Sequence, residues 1–232
     1  MEKQKYAAIV LPAGSGKRMN SQVHKQYLII QDRPVLYYSL KAFEDSAVDE
    51  IVLVVGKGEE KFCRKEIVDK YGISKVKAIV EGGKERYHSV FEGLKQTSDA
   101  DYVLIHDGAR PFVNQDIIRR CMQEVQKYQA CVVGMPVKDT IKIADEEGYA
   151  KQTPDRKNVW MIQTPQTFSY ALIYEAYEEM LKTEDTAITD DAMVLERIKG
   201  KKSKLIEGSY RNIKITTPED LLIANVYLQH PE

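Results

Sequence analysis

At 232 residues the chain is long enough to bury a full hydrophobic core in one α/β domain, and 34 Lys and Arg against 35 Asp and Glu leave a formal net charge of −1, which argues against a nucleic-acid partner. No apolar run approaches the roughly 20 residues of a membrane span, and the start Met1-Glu2-Lys3-Gln4-Lys5 lacks the apolar stretch of a signal peptide. Cys63, Cys121 and Cys131 fall in no metal-ligand spacing and fit free thiols, so a cytoplasmic protein without a membrane partner is expected.

The first predicted strand, Ala8–Leu11, empties into Leu11-Pro12-Ala13-Gly14-Ser15-Gly16-Lys17-Arg18-Met19. Gly14 and Gly16 let the backbone pass close to a phosphate, so that several N–H groups point at one anion. Arg18, and Lys25 at the head of Lys25-Gln26-Tyr27-Leu28, supply the charge that a reacting α-phosphate needs as its transition state forms. The loop is not a kinase-type P-loop, because Arg18 rather than Ser or Thr follows Lys17. Nor is it a dinucleotide fingerprint, because Met19 takes the place of the third glycine. Its pattern G-x-G-x-R-M matches nucleotidyltransferase loops. Pro12 has no N–H, so its position accepts a hydrogen bond from a base but donates none.

Short β-branched runs then alternate with amphipathic helices. In order these are helix Val35–Phe43, strand Ile51–Val55, helix Glu59–Tyr71, strand Val76–Val80, helix Glu85–Gln96, strand Tyr102–His106, helix Gln115–Tyr128 and strand Cys131–Val137. Continuous apolar strands suit a mostly parallel sheet covered on both faces, and the alternation implies right-handed crossovers and a doubly wound sheet.

Two loops in this stretch carry candidate chemistry. In Gly82-Gly83-Lys84-Glu85-Arg86-Tyr87-His88-Ser89-Val90 the paired glycines let backbone approach a planar base or a phosphate. Arg86 and Ser89 share a face near the positive end of the following helix, though a glycine turn with a surface arginine fits the segment equally well. His106-Asp107-Gly108-Ala109-Arg110-Pro111 places Asp107 at a strand's C-terminal end, where a ribose hydroxyl or Mg²⁺ is held, with Arg110 as an ion-pair partner. His106 reads as a histidine ending a buried strand, and His88 as a surface residue.

The pattern breaks after Val137. Residues 138–157 are polar and alternating, and Thr140–Ile143 and Tyr149–Gln152 pair as a hairpin across Asp145-Glu146-Glu147-Gly148. A lone hairpin is hardly stable in water, so this arm needs a packing partner, and a second subunit is the natural candidate. The chain returns with strand Val159–Ile162, helices Tyr170–Leu181 and Thr189–Ile198, strand Ile213–Thr216, and a last helix capped by Thr217 with Pro218 at its first position. A scattered polar set that includes Asp139, Thr140, Arg156, Thr164, Gln166, Thr189, Asp190 and Lys214 falls at strand ends or on the hairpin, facing a second substrate. No repeat, linker or domain boundary interrupts 1–232.

Eight segments in order resemble the 2-C-methyl-D-erythritol 4-phosphate cytidylyltransferases of non-mevalonate isoprenoid biosynthesis: Gly14–Met19, Lys25–Leu28, Gly82–Arg86 with Ser89-Val90, His106–Pro111, Val137–Thr140, Gln163–Gln166, Ile188–Asp191 and Asn212–Lys214. The resemblance implies a Rossmann-like nucleotidyltransferase fold and a Mg²⁺-dependent reaction of CTP with methylerythritol phosphate, giving a CDP-alcohol and pyrophosphate. It implies that Arg18 and Lys25 stabilise the transition state. Pro12, Ala13, Gly14, Ser15, Gly16, Gly82, Arg86, Ser89 and Asp107 would hold the nucleotide, Asp107 also touching its metal. Arg156, Lys214, Thr140 and Thr189 would position the substrate phosphate. It further implies a homodimer in which the 138–157 arm, with Thr140 and Arg156, serves the neighbour's site. Pro12 and Lys84 depart from the family pattern, which has alanine and an acid there. Ribitol 5-phosphate cytidylyltransferase is the closest rival, and a nucleotide-binding regulatory protein the rival of a different class; the retention of both Arg18 and Lys25 counts against the latter.

Overall fold

The computed structural model of the chain describes residues 3–12, 24–183 and 187–230. In chain order the first half contains β1 (Tyr6–Leu11), a 3₁₀ turn (Lys25–Tyr27), the short pair β2 (Ile29–Ile30) and β3 (Arg33–Pro34), α1 (Val35–Glu44), β4 (Glu50–Val55), α2 (Glu60–Cys63), β5 (Val76–Glu81), α3 (Arg86–Leu94), β6 (Tyr102–Asp107) and α4 (Gln115–Tyr128). The second half contains β7 (Ala130–Pro136), β8 (Ile143–Ala144), β9 (Ala150–Gln152), β10 (Trp160–Ser169), α5 (Tyr170–Met180), α6 (Asp191–Lys199), β11 (Lys204–Glu207) and α7 (Pro218–Gln229). Among the described residues no helix is long and apolar enough to cross a membrane.

The doubly wound sheet is present, seven strands in the order β11-β7-β10-β6-β1-β4-β5. All its pairings are parallel except those of β10, which runs antiparallel to both β6 and β7. Period-two alternation sends β1 into two cores. Ala8 and Val10 join Leu36 and Leu40 of α1 and Ile117 of α4. Ala7 and Ile9 join Val90 and Leu94 of α3 and Ile173 and Tyr177 of α5. Helices therefore cover both faces, which is why β1 and β4 are buried along their whole length. The strand order reverses at β1, with β4 on one side and β6 on the other. Ligands of open α/β sheets bind outside the carboxyl ends of strands at such a switch point.

Several predicted elements change. The helix predicted over Glu59–Tyr71 is α-helical only in α2 and continues as wider π-helical turns over Arg64–Asp69. The strand predicted as Val159–Ile162 runs on as β10 to Ser169. Its register shifts between Ile162 and Gln166, so Pro165 falls where the ladder is interrupted and its missing N–H is not required. Ile213–Thr216 is not a strand. The segment crosses just beyond β6, bonded there through Ile215 N–H to the Ala109 carbonyl at 2.8 Å, and Ile215 is buried in the cluster that contains Ala224 of α7. The sheet edge is taken instead by β11, Lys-Leu-Ile-Glu, a strand short and charged enough to read as loop. The arm is shorter than expected: only β8 and β9 pair, and Lys142 reaches Thr153 by a side-chain bond of 2.7 Å. Thr217 and Pro218 open α7 as predicted, with Asp220 completing a capping box.

Candidate active site

Asp107 ends β6 opposite Leu11 of β1, at the switch point. Three cations face its carboxylate: Lys214 Nζ at 2.8 Å, Arg86 Nε at 3.4 Å and Arg110 Nε at 3.8 Å. Burial alone pushes this carboxyl upward, but Arg86, Lys214 and Arg110 outweigh it and hold Asp107 well below the usual carboxylate range. Asp107 is therefore an anion committed to its cations. A divalent ion there would add positive charge to three positive groups, and the described residues gather no set of three or more His, Cys, Asp or Glu for a metal. The expected contact of Asp107 with a metal does not fit this arrangement, whereas a hydroxyl donor does.

Arg86, expected to touch the nucleotide, is turned to other partners. Its Nη1 and Nη2 donate to the two oxygens of Asp191 at 2.8 Å each, and Asp191, fully buried, also accepts from the Tyr177 hydroxyl at 2.6 Å. The guanidinium thus ties the start of α3 to the start of α6 and to the end of β6. Such a bidentate fork fixes direction as well as charge.

Two cavities open on either side of this strut, and Arg86 lines both. One, about 500 Å³, lies between Gly56-Lys57 and the Gly82–Ser89 turn. Gly82 N–H donates to the Val55 carbonyl at 2.8 Å, and Gly83 N–H to Ser89 Oγ at 3.1 Å. Both glycines are required by this close turn, since an added Cβ would lie 2.6 Å from Ser89 Oγ at position 82 and 2.3 Å from His88 Cβ at position 83. Ser89 therefore braces the cavity wall. His88 caps α3 by accepting from Glu85 N–H through Nδ1.

The other cavity, about 330 Å³, is lined by Asp107, Thr164, Gln166, Thr189, Asp190 and Lys214 among others. Gln166 fixes its wall, with Nε2 donating to Asp190 and Oε1 accepting from Ala192 N–H, both at 2.9 Å. The segment that carries Lys214 is held by Asn212 Nδ2, which donates to the Thr164 carbonyl at 2.9 Å, and by Gln163 Nε2, which donates to the Ser209 carbonyl at 2.8 Å. Thr140 and Arg156 line neither cavity. Both are exposed at the base of the arm, where Arg156 Nη1 donates to the Lys138 carbonyl at 2.8 Å. Pro12 is buried at the end of β1, while Ala13, Gly14, Ser15, Gly16 and Arg18 lie outside the described residues.

Behind the site, His106 is fully buried. Its Nε2 lies 3.2 Å from the Arg110 carbonyl, so that nitrogen carries the proton, and Nδ1 accepts from the Thr164 hydroxyl at 3.0 Å. Thr164 Oγ1 in turn accepts from Asp107 N–H at 3.1 Å. Burial pushes the His106 pKa from 6.5 down to about 4. Between those values the unfolded chain takes a proton that the folded chain refuses, so His106 makes stability fall as the pH drops, by up to about 3 kcal/mol. Urea unfolding is expected to lose midpoint between pH 7 and pH 4.5, with a clearly smaller loss in His106→Asn; equal slopes in the two proteins would remove His106 from this role.

Comparison with known proteins gives one consistent answer. The family model for 2-C-methyl-D-erythritol 4-phosphate cytidylyltransferase matches residues 6–230. Relatives with that name include one from Lachnospira eligens, 53% identical over 224 residues and covering 96% of this chain and 98% of the relative. Another, from Lachnoclostridium phytofermentans, is 50% identical over 226 residues, 97% of each. Among solved structures, the 4-diphosphocytidyl-2C-methyl-D-erythritol synthase of Anaerococcus prevotii superposes with a TM-score of 0.86 at 38% identity, covering 98% of this chain and 97% of that one.

Proposed function

Because the chain belongs to the 2-C-methyl-D-erythritol 4-phosphate cytidylyltransferase family, we propose that it joins CTP to 2-C-methyl-D-erythritol 4-phosphate in the two cavities flanking Arg86. The observation that carries this reading is the pairing of Lys214 with Asp107 at 2.8 Å on the wall of the smaller cavity, across the strut from the Gly82-Gly83 turn. Cytidine sits in the larger cavity against that turn. The alcohol phosphate sits in the smaller one.

No protein nucleophile is required. A phosphate monoester has a second pKa near 6 and is largely a dianion at neutral pH. One of its oxygens attacks the α-phosphorus of CTP, forming a P–O bond as the bond to the bridging β-phosphate oxygen breaks and pyrophosphate leaves. The barrier is repulsion between two anions and their misalignment, so the chain's task is to supply cations and hold both partners in line. Arg18 and Lys25 take the charge that builds on the α-phosphate. Lys214, which lines the smaller cavity, has three N–H donors; Asp107 takes one, which leaves donors for the incoming phosphate. A divalent cation enters this reading only as the counter-ion that CTP brings on its own phosphates.

The arm completes the reading as a dimer contact. Tyr149 is 74% and Ile143 45% exposed on it, apolar surface that a second copy would cover, and Thr140 and Arg156 are exposed at its base. Lys214→Ala is expected to raise KM for the alcohol phosphate about tenfold or more, as for loss of a charge-assisted bond, with KM for CTP little changed. Unchanged kinetics in the alcohol phosphate would remove Lys214 from the site.

A further inference from the structure

The mechanism above leaves unused a second polar cluster, gathered on Glu59 beyond the end of β4. Glu59 Oε2 accepts from the Tyr27 hydroxyl at 2.7 Å and from Gly56 N–H at 3.0 Å. Its Oε1 lies 2.6 Å from His24 Nδ1. His24 and Tyr27 bracket Lys25: His24 immediately precedes the 3₁₀ turn Lys25–Tyr27, and Tyr27 ends it. One carboxylate, its side chain only 17% exposed, therefore ties both ends of the lysine's turn to Gly56 on the wall of the larger cavity.

The surroundings are built for this contact. A Cβ at position 56 would lie 2.9 Å from Glu59 Oε2, so glycine there is what lets the carboxylate reach the backbone. Tyr27 packs edge-on against Phe62 with ring centroids 5.0 Å apart, and its hydroxyl lies 2.9 Å from Cys63 Sγ. Burial, Cys63 and Glu59 all push the Tyr27 hydroxyl well above its ordinary pKa, so it stays a donor to the carboxylate. The His24 and Tyr27 rings also lie nearly parallel across the turn, 16° apart with centroids separated by 6.4 Å.

We propose that Glu59 is a positioning residue: through His24 and Tyr27 it fixes the turn that aims Lys25 at the α-phosphate of a nucleotide bound against Gly56 and Gly82. The proposal rests on the reading of Lys25 as the cation of the transition state. Its physical basis is that a long, flexible lysine stabilises a transition state only as well as its stem is held, and a displacement near 1 Å is worth about 100-fold in rate.

The test is steady-state kinetics with CTP and methylerythritol phosphate for Glu59→Ala, Glu59→Gln, Tyr27→Phe, Lys25→Ala and the double variant Glu59→Ala/Lys25→Ala. Glu59→Ala is expected to lower kcat about 10- to 100-fold with KM for CTP within about threefold of the unmodified protein, the pattern of a lost transition-state interaction. Glu59→Gln keeps an oxygen for Tyr27 and Gly56 and should recover most of that loss. Tyr27→Phe keeps the packing on Phe62 and should fall between the two, and it carries the comparison if Glu59→Ala does not fold. The double variant should be no slower than Lys25→Ala alone, because Glu59 acts through Lys25. A kcat for Glu59→Ala within about threefold of the unmodified protein, beside a crippled Lys25→Ala, overturns the proposal alone. So does a double variant whose loss is the product of the single losses. A near-normal Lys25→Ala overturns the role of Lys25 and the proposal with it.

Discussion

Alanine in place of Arg18 is expected to lower kcat roughly 10²–10³-fold, the cost of removing one preorganised group from a developing charge. The attacking phosphate and the α-phosphate both carry negative charge, and the pentavalent arrangement concentrates it further. Arg18 stands in the G-x-G-x-R-M motif that follows Leu11 and Pro12 in the sequence. Loss of its guanidinium should be felt in the transition state more than in the ground state, so kcat falls further than KM rises. Steady-state kinetics at saturating CTP read this directly. A variant with kcat near that of the unmodified protein would remove Arg18 from the chemistry.

Asp191→Asn should cost about 3 kcal/mol of stability, because it removes the fully buried anion that the Arg86 guanidinium bonds through both Nη groups. Asparagine keeps the size of Asp191 and an acceptor for the Tyr177 hydroxyl at 2.6 Å, so the change is chiefly one of charge. Arg86 is left with Asp107 at 3.4 Å, where it competes with Lys214 and Arg110 for one carboxylate. The melting temperature should fall on the order of 10 °C. Thermal denaturation followed by circular dichroism checks it, and a fall of only a degree or two would mean that Arg86 and Asp191 are not a structural strut.

How much of this was legible depends on the distance over which each residue finds its partner. The core strands were readable because Ala8–Leu11, Ile51–Val55 and Tyr102–Ile105 are apolar without a break, as burial on both faces demands. Gln115–Tyr128 was readable from its helical stripe and matches α4 residue for residue. The second half was harder. Pro165 cut the reading of β10 short, the β-branched Ile213–Thr216 imitated a strand, and the charged ends of β11 concealed one. In the site, Asp107 and Lys214 were found as separate polar residues, and only the fold puts them 2.8 Å apart. The pairing of Arg86 with Asp191 was not legible, because the two lie 105 positions apart and no local pattern announces the packing of their helices. Glu59, His24 and Tyr27 gave no signal in combination, since the bond between a strand end and a distant turn leaves no spacing to read.

The central claim, transfer of cytidylate to an alcohol phosphate, is tested most directly by pyrophosphate release from the purified protein with Mg²⁺. The assay pairs CTP, UTP and ATP in turn with methylerythritol phosphate and with ribitol 5-phosphate. Fast release with CTP and methylerythritol phosphate, and slow release with every other pair, is the predicted result. Preference for ribitol phosphate would keep the in-line mechanism and contradict the substrate, and no release from any pair would contradict the reaction itself.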